Sequence, residues 1–419
     1  MYNGVGRSAA NSIRGVLIWS FVITCTFPYT RILPINAITQ PYAMLLAAVL
    51  VALYFNNIPR AFVRQAAPLG TCLLIALVMY AASLVSGFDF GSVKWLAGYI
   101  SAFFTFLISR YFIAKDSETF KTAIIASLII WLAVGIVQRM YDPTFLTSLT
   151  SERHSEASAG HLESGRGVLG FAHEPTHHAL HIILLAATCL QLGVQPQIVI
   201  TLGAAIAVIF LAMSSSALLC FGLGLGILVL RANFVKALKL SSAGLLVFAL
   251  ISNVLPEDAR VVDLLMAFWT NPLSLLSVDY SLNMRLGGLL AAAMSVVDNL
   301  FLPHGISHAD WINTIDSYYS RFPWLFEISE EGWPSGYLLV IYQLGVLSMP
   351  FVVFLKKAIK KIDNRYALRA WFAYTAFTVF LFQFYITAPM FGVFFASIYA
   401  VSSERDGKMP FAAAINQKS

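Results

Sequence analysis

The chain has 419 residues, 58% of them hydrophobic and 11% charged, with a formal net charge of +6. A soluble domain carries roughly 25% charged residues, so the composition excludes a soluble globular protein and points to an all-α polytopic membrane protein. The positive balance falls between apolar runs, where Lys and Arg orient membrane helices, and argues for no nucleic-acid partner.

A helix that crosses the hydrocarbon core needs about 20 apolar residues. Twelve runs in chain order predict spans, at about 13–30, 37–56, 67–87, 95–114, 120–139, 176–193, 196–213, 215–231, 237–255, 335–355, 367–386 and 388–403. Arg7 and Arg14 precede the first run, and no small-x-small cleavage pattern follows it, so it reads as a retained span rather than a removed signal. The seventh and eighth runs are separated only by Ser214-Ser215-Ser216, which predicts a tight turn. The four cysteines, Cys25, Cys72, Cys189 and Cys220, all lie in apolar runs and imply no disulfide framework.

Charge sets the orientation. With a cytoplasmic N-terminus, Arg60, Arg64, Arg110, Lys115, Arg231, Lys236, Lys356, Lys357, Lys360 and Lys361 all fall inside, and most Asp and Glu fall outside. That is the positive-inside bias, so both termini are expected in the cytoplasm. The whole chain, 1–419, reads as one membrane-embedded domain with no internal repeat. Two external segments are long, 140–175 and 256–334. Within the second, the apolar stretch 286–297 is too short to span; Leu286, Leu289, Leu290, Ala293 and Val297 recur at helical spacing and predict an external helix that lies on the membrane surface or caps a cavity.

The chemistry-bearing residues gather in these two segments. The run Arg166-Gly167-Val168-Leu169-Gly170-Phe171-Ala172-His173-Glu174-Pro175-Thr176-His177-His178 opens the sixth span. Ionisable groups at a membrane boundary are costly to desolvate and mark sites of chemistry or passage. Glu174, His178 and His181 are spaced to share one helix face, and Pro175 suits a first helical turn. The bland alternative is a carboxylate favoured by a helix N-terminus, with histidines in interfacial water. His173-Glu174-Pro175-Thr176-His177 also satisfies H-E-x-x-H. Pro175 reads as a helix start, however, which leaves His173 outside the helix, and no metal is expected.

Arg166 and Arg285 lie in separate external segments. Each offers a planar, permanently charged fork for phosphate oxygens, and together they can grip one diphosphate. Pairing of each with a loop carboxylate is the competing reading; Arg321, Arg139, Arg153 and Arg260 are weaker candidates that read as structural or solvated. His304, His308 and Trp311 form a cluster able to bind sugar, with Trp311 stacking on a pyranose face; packing against the membrane surface is an equal alternative. Gly222 and Gly226 have the G-x-x-x-G spacing of helix packing rather than a nucleotide loop.

Arg166-Gly167, Gly170, Phe171 and Glu174-Pro175 together resemble the Arg-Gly…Gly…Phe…Glu-Pro pattern of bacterial polysaccharide polymerases of the Wzy type, in the O-antigen polymerase and ligase superfamily. Ser281 to Arg285, Pro303-His304-Gly305, and Pro334, Ser335, Leu338 and Gly345 are similar to that family's later motifs. The resemblance implies a fold like the lipid-linked GT-C-type glycosyltransferases, in the bacterial inner membrane with its site facing the periplasm. It implies polymerisation of undecaprenyl-diphosphate-linked oligosaccharides into O-antigen or exopolysaccharide. No cofactor is implied, and a separate co-polymerase would regulate chain length. Arg166 and Arg285 would stabilise the departing diphosphate, and Glu174 would accept the proton of the attacking hydroxyl, with His173, His177 and His304 next in order. The nearest alternative is an O-antigen ligase acting on lipid A core; the His-Asn pair of ligases is replaced here by Glu330-Glu331. A lipid-linked sugar transporter is the alternative of a different class.

Overall fold

The computed structural model describes residues 3–31, 39–86, 90–150, 167–231, 280–321, 336–382, 384 and 386–405. Fourteen α-helices lie among these residues, and no strand does. They are α1 (Asn3–Thr26), α2 (Tyr42–Tyr54), α3 (Arg60–Ser83), α4 (Phe90–Lys115), α5 (Ser117–Met140), α6 (Pro175–Gln191), α7 (Gln197–Ile206), α8 (Ser215–Arg231), α9 (Tyr280–Asp298), α10 (His308–Arg321), α11 (Gly336–Leu344), α12 (Met349–Lys361), α13 (Ala367–Phe382) and α14 (Met390–Arg405). Four helical stretches are long and apolar enough to cross a membrane: 60–83, 91–115, 117–140, and 336–361 taken through its internal break. Shorter apolar helices surround them, and the protein is membrane-embedded. The span expected at 237–255 lies outside the described residues.

The helices start and stop where their sequences dictate. Asp116 caps α5, its carboxylate accepting the Thr119 N–H at 3.1 Å, in place of one of the amide partners that a helix N-terminus lacks. Pro175 opens α6 at its first position, where a missing N–H costs nothing. α6 is buried on nearly every residue from His178 to Gln191, as befits a helix apolar all round. It packs against α5, α7, α8, α13 and α14, while α4 packs against α2, α3 and α14.

Basic residues collect at one end of the bundle. Lys361 lies over the Tyr399 ring at 5.2 Å, Arg231 over Tyr374 at 6.0 Å and Arg369 over Tyr366 at 4.9 Å. Arg110 is buried there, hydrogen-bonded to Gln65 at 3.1 Å and lying 4.5 Å over Phe62. The C-termini of α1, α5 and α13 and the N-termini of α4, α6, α11 and α14 form the opposite end. Gly336 N–H donates to Phe384 at 3.1 Å, and the Trp131 indole N–H donates to Thr26 at 2.9 Å.

Two stretches of helix are broken near that opposite end. α7 runs into a π-helical turn at Ala207–Leu211 and stops before Met213, which is left-handed at φ 45°. The expected break between the two runs is therefore present, but it falls at Ala212–Ser214, and Ser215 and Ser216 open α8. α11 stops at Gly345, also left-handed at φ 53°, and a 3₁₀ turn leads into α12. The segment 301–305 docks on this break: Val346 N–H donates to Phe301 at 2.7 Å, His304 N–H to Tyr342 at 3.2 Å and Gly305 N–H to Gln343 at 3.1 Å. These bonds supply partners that the interrupted helix cannot. The helix expected at 286–297 is present as the longer α9. The second external segment, expected to carry short helices, also forms the amphipathic helix α10 around Trp311.

Candidate functional site

The loop before α6 is clamped to its neighbours. Gln138, a lone amide near the end of apolar α5, receives the Gly170 N–H on its carbonyl at 2.7 Å and donates back to the Gly170 carbonyl at 3.0 Å. Gly170 sits at φ +59°, and a Cβ there would lie 2.0 Å from His178 Nδ1. Val168 N–H donates to the Leu211 carbonyl at 2.7 Å, on the α7 break. A Cβ on Gly167 would lie 2.2 Å from the Ala212 backbone. Both glycines of the motif are thus required by close approach, one to a buried ring and the other to a neighbouring main chain.

This clamp sets the three residues that follow. Glu174 is extended at φ −145°, ψ 150°, just ahead of α6, and its side chain makes no capping bond to the helix. One carboxylate oxygen lies 3.6 Å from His177 Nδ1, and the Glu174 side chain is 45% exposed. The His173 and His177 rings face each other at 4.1 Å. Tyr29 packs edge-on to His173 at 5.1 Å, and Phe384 stands 5.4 Å from His177. One donor atom from each of His173, Glu174 and His177 lies within 4.8 Å of the others. An apolar recess is lined by Ile23, Thr24, Phe27, Thr30, Tyr42 and, from the same loop, Phe171.

The expected single face of Glu174, His178 and His181 is divided. Because Glu174 precedes the helix, its imidazole neighbour is His177. His178 and His181 point into the protein, not into interfacial water: both are 0% exposed. His181 stacks on Trp131 at 4.8 Å with 12° between planes, and His178 lies 5.5 Å from the same indole. His178 is wedged between Gly170 and Gly135, where a Cβ would come 2.8 Å from Nε2. It is a packing element that shapes the loop and presents no face to a substrate.

The second cluster surrounds the α11 break. His304 stacks on Tyr342 at 4.3 Å, bonds Ser295 Oγ through Nε2 at 2.7 Å and faces the Tyr342 carbonyl through Nδ1 at 3.3 Å. Burial lowers the His304 pKa; the Tyr342 carbonyl and Asp310 oppose the shift less strongly. His308 lies edge-on to Trp95 at 5.9 Å. Trp311 is 0% exposed and edge-on to Tyr342 at 5.1 Å, so its indole packs α10 down and offers no stacking platform to a sugar. Arg321 pairs with Asp298 at 3.1 Å, both side chains exposed. Arg166 lies outside the described residues. Arg285 is placed on the first turns of α9, its side chain outside what is described.

Sequence reasoning did not single out Gln138, Trp131, Tyr29, Ser295 or Gln343. Gln343 accepts the Tyr99 hydroxyl at 2.7 Å beside the α11 break. Gln138 and Gln343 did carry a signal: each is a solitary amide within an apolar run, where a polar group needs a dedicated partner. Neither a protein-family profile nor a curated protein sequence matches this chain.

Proposed function

We propose that the protein is a glycosyltransferase of the polysaccharide-polymerase kind, working at the external face of the bacterial inner membrane. It joins oligosaccharide repeats carried on undecaprenyl diphosphate into O-antigen or exopolysaccharide. The observation that carries this reading is Glu174. It is a half-exposed carboxylate held next to His177 at the start of a buried helix by a clamped glycine loop, whose Phe171 lines an apolar recess. The Glu174 side chain leaves the first turn of α6 uncapped, and such a turn attracts phosphate oxygens.

The step is a displacement. A hydroxyl of one repeat attacks the anomeric carbon of the growing chain, and its proton passes to Glu174. The bond from that carbon to the lipid diphosphate breaks, and Arg166 and Arg285 take up the negative charge of the leaving group. The energy is already stored in the glycosyl diphosphate. The test is complementation of a strain lacking its own polymerase, with surface polysaccharide resolved by length. Wild type restores a ladder, and Arg285→Ala, at equal protein level, leaves single repeats. A ladder from Arg166→Ala and Arg285→Ala alike would refute the diphosphate clamp.

One observation favours a second reading. The α7 and α11 breaks beside the candidate residues are the kind of discontinuity that transporters place at their substrate sites. A lipid-linked sugar transporter would leave repeats chemically unchanged in detergent, whereas the polymerase consumes them.

A further inference from the structure

We infer that His173, Glu174 and His177 bind a divalent first-row transition cation of the zinc type. Two imidazoles and one carboxylate are the donor set such ions prefer. Their donor atoms already lie within 4.8 Å of one another. The His177–Glu174 pair, at 3.6 Å, is close to the spacing of about 3.4 Å that bonds of 2.0–2.1 Å make at a tetrahedral angle. Ion binding would draw the remaining donor atoms together from within 4.8 Å. The spacing differs from that of a metalloprotease helix, where both histidines project from one continuous helix. Here Pro175 ends the loop and begins the helix, and the extended Glu174 folds His173 back over His177.

The surroundings suit a reactive ion rather than a structural one. Tyr29 and Phe384 wall the histidines on the protein side, while the half-exposed Glu174 marks an open side. Three protein ligands and an open position are the pattern of catalytic zinc. The positive end of α6 disfavours a bare cation, so a cation held by Glu174 there is suited to share an incoming anion, such as a diphosphate oxygen, with the helix amides. The assignment of the anion rests on the proposed function; the metal site does not.

The test is metal content, which needs no turnover. Full-length protein carrying a histidine-free affinity tag is loaded with zinc, dialysed and analysed by mass spectrometry for metal. Wild type retains about one equivalent. His173→Ala and His177→Ala lose more than the roughly 10–100-fold in affinity that removing a mere supporting residue costs, and His304→Gln keeps the ion. Absence of bound zinc in wild type, or equal zinc in all four proteins, overturns the inference. Should the alanine variants fail to fold, cobalt-loaded wild type decides. Intense visible bands of a low-coordinate cobalt–histidine centre uphold the site, and the weak spectrum of hydrated cobalt overturns it. Metal without polymerisation would refute the proposed function alone; polymerisation without metal would refute this inference alone.

Discussion

Replacing Gly170 with alanine tests whether the loop before α6 is held as described. The residue sits at φ +59°, where an L-side chain costs about 1–2 kcal/mol. The new Cβ would also lie 2.0 Å from His178 Nδ1. That ring cannot swing away, because Trp131 and Gly135 confine it from other sides. Overpacking of this kind costs about 1–3 kcal/mol. The sum is about 2–5 kcal/mol, which corresponds to a fall in thermal midpoint of about 2–6 °C in detergent for a chain of this length. The His178→Ala background separates the two contributions, since it removes the clash and leaves the backbone strain. Gly170→Ala should cost less by about 1–3 kcal/mol in that background than in wild type, a coupling expected of residues in direct contact. An unchanged midpoint for Gly170→Ala, or strictly additive effects in the double variant, would refute the packing of His178 under the loop.

The remaining predictions concern the elements that position the same region. Gln138→Leu strips both bonds from the buried Gly170 peptide; at about 1–3 kcal/mol for each orphaned group, it should destabilise the protein and raise proteolysis near residue 170, as a melt and limited digestion will read. Gly345→Ala places a Cβ 2.3 Å from the Phe301 carbonyl at φ +53°, and backbone yields less than a ring, so the thermal midpoint should fall by at least as much as for Gly170→Ala. Burial depresses the His304 pKa, so folding favours the neutral ring. Stability from this residue is therefore full above the unfolded value near 6.5 and is lost as pH falls through the folded value. Wild type should lose thermal stability between pH 7.5 and 5.5 more steeply than His304→Gln, and parallel pH profiles would contradict this.

Hydropathy made most helices legible, because every backbone group in lipid must be satisfied within a helix and the apolar run lengths follow directly. Pro175 marked the start of α6, and Ser214–Ser216 marked the α7–α8 break, because proline and serine act locally. The short apolar stretch after Arg285 was readable as a non-spanning helix from length alone. What the sequence concealed depends on distant partners. The division of the histidines between the mouth of the site and the Trp131 core turns on one extended residue, Glu174. Helical spacing treats that residue as part of the helix. Trp311 looked like a sugar platform because aromatic residues suit both a binding face and a packed cap, and only its contact with Tyr342 separates the two. Likewise, Pro175 argued correctly for a helix start, but it did not follow that His173 would stand apart from His177: an extended residue ahead of the helix brings the rings together at 4.1 Å.

The most direct test of the polymerase reading is conversion of a defined undecaprenyl-diphosphate-linked repeat by purified protein in detergent, with no membrane and no gradient. Wild type should yield a ladder of longer lipid-linked chains together with free undecaprenyl diphosphate, and Glu174→Gln should slow it by about 10²–10⁴-fold, the range for loss of a positioned proton acceptor. Unchanged repeats with folded wild-type protein, or full activity in Glu174→Gln, would contradict the account.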